Sequence, residues 1–294
     1  MIATVGPCIP HDLLAASGRH TGPLAWRLDR ATPRAEAWLE SKFPRWAHSI
    51  LEDWAEGRFD DISTVLFSRA DDAAQRLYYY ICELQRRGLI GGPRALIVDV
   101  AKIPRPSSEA HTIAAVRSLA QEFAVDEAAL EAGIVATNRT RVAAASEPAP
   151  ASRSCLLVGT PPPHRLLHDA IAEAGFAPVG QTLGELWANP GPLVEEATGD
   201  PAAAIGRQVH RRRDDRRGFG DAPGAALDLA RRHNAQAAIL WYGEEDEARV
   251  WDLPRMRQSL ADAGLPLLAM TRRDEAARDG APEEVRSFLG GLTT

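Results

Sequence analysis

Short apolar runs alternate with longer amphipathic stretches along this chain. The short runs, bounded by turn-forming residues, predict buried β-strands, whereas apolar positions at helical spacing predict helices. The predicted strands cover residues 64–67, 95–100, 154–159, 177–180, 237–241 and 266–270. The predicted helices cover residues 34–56, 72–87, 107–122, 126–141, 164–174, 223–233, 254–263 and 283–289. Strands that are each followed by a helix indicate an α/β protein whose parallel sheets are covered by helices on both faces.

The alternation is interrupted near the middle of the chain. Residues 147–152 are mostly small or proline and show no hydrophobic periodicity, which is typical of a linker. The same strand–helix alternation precedes and follows this segment. We therefore expect an N-terminal α/β lobe over residues 1–146 and a C-terminal α/β lobe over residues 153–294.

Composition narrows the class of protein. The chain has 294 residues, of which 45% are hydrophobic and 25% are charged, as in ordinary globular proteins. A net charge of −6 argues against nucleic acid as a partner, because such binding relies on neutralising phosphates. We expect no membrane span and no signal peptide, since no sufficiently long apolar stretch is present. Three widely spaced cysteines are typical of a reducing compartment, so we expect a cytoplasmic location.

Ligands bind beside the carboxyl ends of parallel strands, so the loops there supply the candidate site residues. These loops follow Val5, Phe67, Val100, Val158, Trp241 and Met270. In the first half of the chain, the candidate binding residues in them are Cys8, His11, Ser68, Arg69, Asp71 and Lys102. Arg69 adds positive charge at a helix start, where anions are favoured. Asp71 has the alternative role of a helix cap, and Cys8 and His11 have the alternative of being structural.

Two charged segments in the second half have a binding and a structural interpretation. Glu244, Glu245 and Asp246 follow a predicted strand and could hold a divalent cation through oxygen ligands, or form a solvated acidic turn. Residues 211–217 contain clustered arginines, which suit phosphate groups, but their alternating charges also favour self-paired surface charge.

Several motifs in matching order carry a family resemblance. Residues 6–18 are similar to an opening motif P-x-E-L-x-x-A-x-G, and residues 129–139 resemble a helix ending in N-x-x-R. Residues 60–80 resemble a strand–loop–helix segment in which a Cys-Asp pair stands where this chain has Ala70 and Asp71. With further matches in the second half, the chain resembles the 2-hydroxyacyl-CoA dehydratase / benzoyl-CoA reductase subunit family (D-component).

The resemblance implies a fold and a complex. Members of that family have two flavodoxin/Rossmann-like lobes and work as homologous subunits that hold a [4Fe-4S] cluster, which an ATP-dependent activator reduces. Cysteine is absent here at the three matching positions, near residues 43–44, at Ala70 and near residues 244–246. We therefore expect no cluster in this chain, a [4Fe-4S] cluster in a homologous partner subunit, and a CoA thioester as ligand. The alternatives are a non-catalytic scaffold that binds acyl-CoA or a partner, and a cluster-free metal-dependent enzyme that uses the acidic loop.

Overall fold

The computed structural model of the chain describes residues 1–101, 103–145, 153–212 and 220–292. The strands in this part of the chain are β1 (Ile2–Val5), β2 (His20–Pro23), β3 (Thr64–Ser68), β4 (Arg94–Val98), β5 (Ser154–Gly159), β6 (Ala177–Val179), β7 (Ala235–Gly243) and β8 (Leu267–Arg273). The helices are α1 (His11–Ser17), α2 (Pro33–Trp38), α3 (Arg45–Ala55), α4 (Asp72–Arg86), α5 (Pro106–Glu122), α6 (Glu127–Ala145), α7 (Leu166–Glu173), α8 (Leu183–Ala188), α9 (Pro201–Arg211), α10 (Ala222–Arg232), α11 (Leu253–Asp262) and α12 (Ala281–Gly290). None of the described helices has both the length and the apolar character needed to cross a membrane.

The first unit contains a four-stranded parallel sheet in the order β2-β1-β3-β4. Its strands are buried because helices lie on both faces. On one face, Leu66 and Val98 join a core that includes side chains from α1, α5, α6 and α9. On the other face, Phe67 of β3 contacts the ring of Trp54 from α3, with ring centroids 6.2 Å apart. The continuous apolar character of β3 follows from this two-sided burial.

The second unit repeats this arrangement, with a parallel sheet in the order β6-β5-β7-β8. Alternate residues of β5 enter different cores, as the pleat of a strand requires. Leu157 packs with residues of α7 and α12, whereas Leu156 packs with residues of α10 and α11. The predicted fold class, two Rossmann-like α/β lobes with parallel sheets covered on both faces, is confirmed.

The chain passes from one unit to the other more than once. The first comprises the described residues within 1–147 and 187–219, and the second those within 148–186 and 220–294. The predicted C-terminal lobe, 153–294, therefore includes a segment that packs with the N-terminal unit. The reason is burial: Ile205 and Val209 of α9 belong to the same core as Val116 of α5. The predicted linker itself lies outside the described residues.

The helix predicted over residues 34–56 is wrong, since two helices occupy this stretch. α2 ends at Trp38 and α3 begins at Arg45, with Pro44 in an extended conformation at the N-cap of α3. Proline has no N–H to donate within a helix and clashes with the preceding turn, so a continuous helix is excluded there. The remaining predicted helices and strands are present with small shifts at their ends.

Candidate functional site

The loops after β1 and β3 lie side by side at the carboxyl edge of the first sheet. In the order β2-β1-β3-β4, β2 lies on one side of β1 and the later strands lie on the other side. Ligands of open parallel sheets bind at such a switch in strand order, here between β1 and β3. Gly6 has a φ of 97°, and a Cβ at this position would lie 3.0 Å from the Cβ of Ser68. Glycine therefore permits the close approach that brings the loop of Cys8 next to the loop of residues 68–71.

Three of the predicted site residues in these loops are buried and support the backbone. The Ser68 hydroxyl accepts a hydrogen bond from the Ala70 N–H at 3.1 Å. The Asp71 carboxylate caps α4 by accepting from the Ala74 N–H at 2.9 Å. Cys8 is fully buried with a left-handed φ of 59°. Asp71 therefore has its alternative role, that of a helix cap. None of these three side chains is exposed to solvent. Lys102 lies outside the described residues.

An exposed polar cluster stands at the same edge, formed by Arg69, Asp99 and His111. Arg69 follows β3 and Asp99 follows β4, while His111 lies on α5. The Arg69 guanidinium donates to Asp99 Oδ2 at 2.6 Å, and His111 Nε2 lies 3.1 Å from the same oxygen. The three side chains are 43%, 36% and 51% exposed, so solutes can reach them. The hydrogen bond and charge of Asp99 raise the pKa of Arg69, which therefore stays cationic.

This cluster has a defined chemistry. A guanidinium has five N–H donors, and one terminal nitrogen of Arg69 is used on Asp99, so further donors can meet a phosphate or carboxylate. An imidazole held by a carboxylate through Nε2 keeps Nδ1 for a hydrogen bond or proton exchange with a ligand. The arrangement can therefore bind an anion and exchange a proton beside it. Arg69 was singled out in the sequence; Asp99, which joins it to His111, was not.

His11 is enclosed in the first unit rather than exposed at the edge. Its ring is hydrogen-bonded to the backbone of Trp187, and its Nε2 has no hydrogen-bond partner among the described residues. Burial, together with the charges of Arg212, His20 and Arg141, lowers the pKa of His11 to about 3. The ring is thus neutral at physiological pH and is not accessible to a soluble ligand.

The neighbouring Asp12 forms a buried ion pair that the sequence did not predict. The Arg141 guanidinium donates to both Asp12 oxygens, at 2.6 and 2.7 Å, and both side chains are almost fully buried. Its other N–H groups donate to Asn138 Oδ1 and to the carbonyl oxygens of Pro190 and Gly191. Asp12 belongs to the P-x-E-L-like motif, and Asn138 and Arg141 form the N-x-x-R motif. The two motifs therefore meet in one structural network.

The corresponding edge of the second unit is closed by its own side chains. The Thr160 hydroxyl donates to Asp246 Oδ2 at 2.8 Å, and Arg249 Nε lies 3.4 Å from the same oxygen. Glu244 is exposed and lies 3.7 Å from Arg272. Glu245 is also exposed. Because Asp246 is buried against Thr160 and Arg249, the three acidic residues do not converge as a cation site.

The positions at which the family resemblance implies cysteine ligands do not fit an iron–sulfur cluster. Ala70 is fully buried, and Phe43 packs under the Arg76 guanidinium, 4.2 Å from the ring centroid, and against Tyr80. Thiolates are the usual ligands of such clusters, and neither position supplies one. Within the described residues, no group of three or more His, Cys, Asp or Glu side chains is arranged to hold a metal ion.

No protein-family model matches the chain, and no curated protein matches it either.

Proposed function

We propose that the chain is a cluster-free subunit of a complex resembling 2-hydroxyacyl-CoA dehydratases or benzoyl-CoA reductases. It supports acyl-CoA binding and assembly, while a homologous partner subunit carries the [4Fe-4S] cluster and receives electrons from an ATP-dependent activator. The reaction of such a complex is a lyase or reductase reaction, and this chain itself carries no redox group.

One observation supports the proposal: the two-unit α/β fold that the resemblance implies is present, while the positions matched to cysteine ligands carry other side chains that pack or hydrogen-bond within their own unit. Ala70 and Phe43 contribute to buried packing. Asp246 is hydrogen-bonded to Thr160. Filled positions are consistent with a subunit that folds without a cluster.

The Arg69–Asp99–His111 cluster supports a role in ligand binding. CoA carries a pyrophosphate and a 3′-phosphate, and arginine is well suited to phosphate oxygens. The cluster lies at the strand ends where ligands of parallel sheets bind. We therefore assign Arg69 to a CoA phosphate, with His111 beside it.

Thermal unfolding with CoA and with an acyl-CoA such as benzoyl-CoA tests this assignment. A ligand at about 100 times its dissociation constant stabilises the folded state by about 2.7 kcal/mol, which raises Tm by several degrees. Arg69→Ala should reduce that shift to near zero. Arg86→Ala is the matched control, because Arg86 is an exposed arginine paired with Glu83 elsewhere on α4. Equal shifts in both variants, or no shift in the unmodified chain, would contradict the ligand-binding assignment.

The partner assignment is tested separately by co-purification, with iron measured on the complex and on the chain alone. The metal-dependent alternative has no support from the acidic loop, because Asp246 is already bonded within the second unit.

A further inference from the structure

An apolar groove lies on the first unit and is lined by residues other than those of the polar cluster at the strand ends. It has a volume of about 570 Å³. One wall is the end of α6, with Val142 and Ala143, and the other is the loop before α9, with Leu193 and Val194. Val142 is 53% and Leu193 is 59% exposed. Single exposed apolar residues are ordinary, whereas exposed apolar residues that line one groove are a feature of interaction sites.

Hydrogen bonds join the two walls of the groove. Asn138 of α6 donates to the Val194 carbonyl at 2.8 Å and accepts from the Val194 N–H at 3.0 Å. The same amide donates to Glu196 at 2.7 Å. These bonds fix the loop on α6, so the walls need little rearrangement to receive a partner, which favours binding.

The charges beside the groove indicate what covers it. Arg139 on the α6 side and Glu196 on the loop side are both exposed and line the groove. A two-fold contact brings the same patch of two copies together, so a patch that carries both signs of charge can meet itself with opposite charges paired. Here Arg139 of each copy can meet Glu196 of the other, while the apolar walls face each other.

We propose that this groove is where a second copy of the chain docks, in a two-fold contact independent of the cluster-bearing subunit. The exposed Leu193 side chain of each copy is buried at the contact, and Arg139 and Glu196 set its register. This contact goes beyond the proposed function, and the purified chain alone is sufficient to test it.

Sedimentation equilibrium of the purified chain over a range of concentrations is the test. The chain is expected to dimerise, and Leu193→Glu is expected to weaken the dimer at least tenfold. Leu89→Glu is the matched control, since Leu89 is an exposed leucine in the turn after α4 and should leave the dimer unchanged. Circular dichroism and Tm of each variant establish that the monomer is folded.

A charge exchange distinguishes the two-fold contact from other apolar association. Arg139→Glu and Glu196→Arg should each weaken the dimer, because each homodimer then brings like charges together twice. An equimolar mixture of the two variants should recover the dimer, since both contacts become attractive again. A chain that is monomeric at every concentration, a dimer that Leu193→Glu leaves intact, or a mixture that does not recover would each overturn the proposal.

Discussion

The two units share a strand order but differ in what stands at the carboxyl edge of their sheets. In the first, Arg69, Asp99 and His111 form an exposed cluster. In the second, Thr160, Asp246 and Arg249 bond to one another and close the equivalent edge. The comparison teaches that the strand order provides a potential ligand site at the carboxyl edge of each sheet. Whether that site is accessible depends on the few side chains that follow each strand.

A short repeat underlies the similarity between the units. Val5-Gly6 and Pro10-His11 in the first unit correspond to Val158-Gly159 and Pro163-His164 in the second, with the same spacing. Both glycines have positive φ at the end of the first strand of their sheet, 97° and 114°. The histidines differ: His11 is buried, whereas His164 Nε2 lies 2.9 Å from the Ala276 carbonyl oxygen and is partly exposed. The same backbone conformation thus places the two histidines in different surroundings.

The largest expected difference between the units concerns ion pairs. Asp12→Ala leaves the Arg141 guanidinium buried without its carboxylate, and breaking such a pair lowers the free energy of unfolding by about 3–5 kcal/mol. Glu173→Ala removes the carboxylate of the exposed Arg286–Glu173 pair in the second unit, for which less than about 1 kcal/mol is expected. Urea unfolding of both variants measures this. Equal losses would show that the buried network does not stabilise the first unit.

Alanine substitutions at the two glycines of the repeat should lower the free energy of unfolding by different amounts in the same experiment. A Cβ at Gly159 would lie 2.2 Å from the Trp241 carbonyl oxygen, which belongs to the backbone of the neighbouring strand. At Gly6 the nearest atom is the Ser68 Cβ at 3.0 Å, which is a longer and less severe contact. We expect Gly159→Ala to destabilise the protein by about 3 kcal/mol and Gly6→Ala by about 1–2 kcal/mol. A larger loss at Gly6 would contradict this comparison of the two strand ends.

The smallest expected effect is the contribution of His11, in the first unit, to the pH dependence of stability just below neutral pH. The pKa of His11 is lowered to about 3 in the folded protein, from 6.5 in an unfolded chain. Between these values the unfolded chain binds a proton that the folded one does not, so stability falls as pH decreases from 6.5 toward 3. The slope from this group approaches about 1.4 kcal/mol per pH unit. His11→Asn should reduce the slope measured by urea unfolding, whereas an unchanged slope would exclude His11 as its source.

The fold was predictable to a large extent because both sheets are buried on two sides. Strands such as residues 64–67 are continuous apolar runs, and the helices between them are amphipathic. Pro44 marks the break between α2 and α3, but apolar residues at helical spacing on both sides of it favoured one continuous helix. The position of residues 187–212 was not predictable in this way, since the bonds that hold it, such as Asn138 to Val194, join residues far apart in the chain.

Only part of the candidate site was predictable, because the rest depends on contacts between residues far apart in the chain. Arg69 could be singled out because it follows a strand and precedes a helix. Its partner Asp99 depends on the pairing of β3 with β4, which sets Ser68 opposite Val98 and so places the next residues together. The burial of Cys8 and His11 likewise depends on packing within the first unit, which local patterns do not reveal.

The most direct test of the central claim is iron content, measured on the chain alone and on its complex with a cysteine-bearing homologue encoded in the same genome. The two proteins are co-expressed without oxygen, purified through a tag on this chain, and analysed for iron and visible absorbance. We predict a colourless, iron-free chain and a brown complex with about four iron atoms per partner subunit. Stoichiometric iron in the chain alone, or failure of every such homologue to co-purify, would contradict the account.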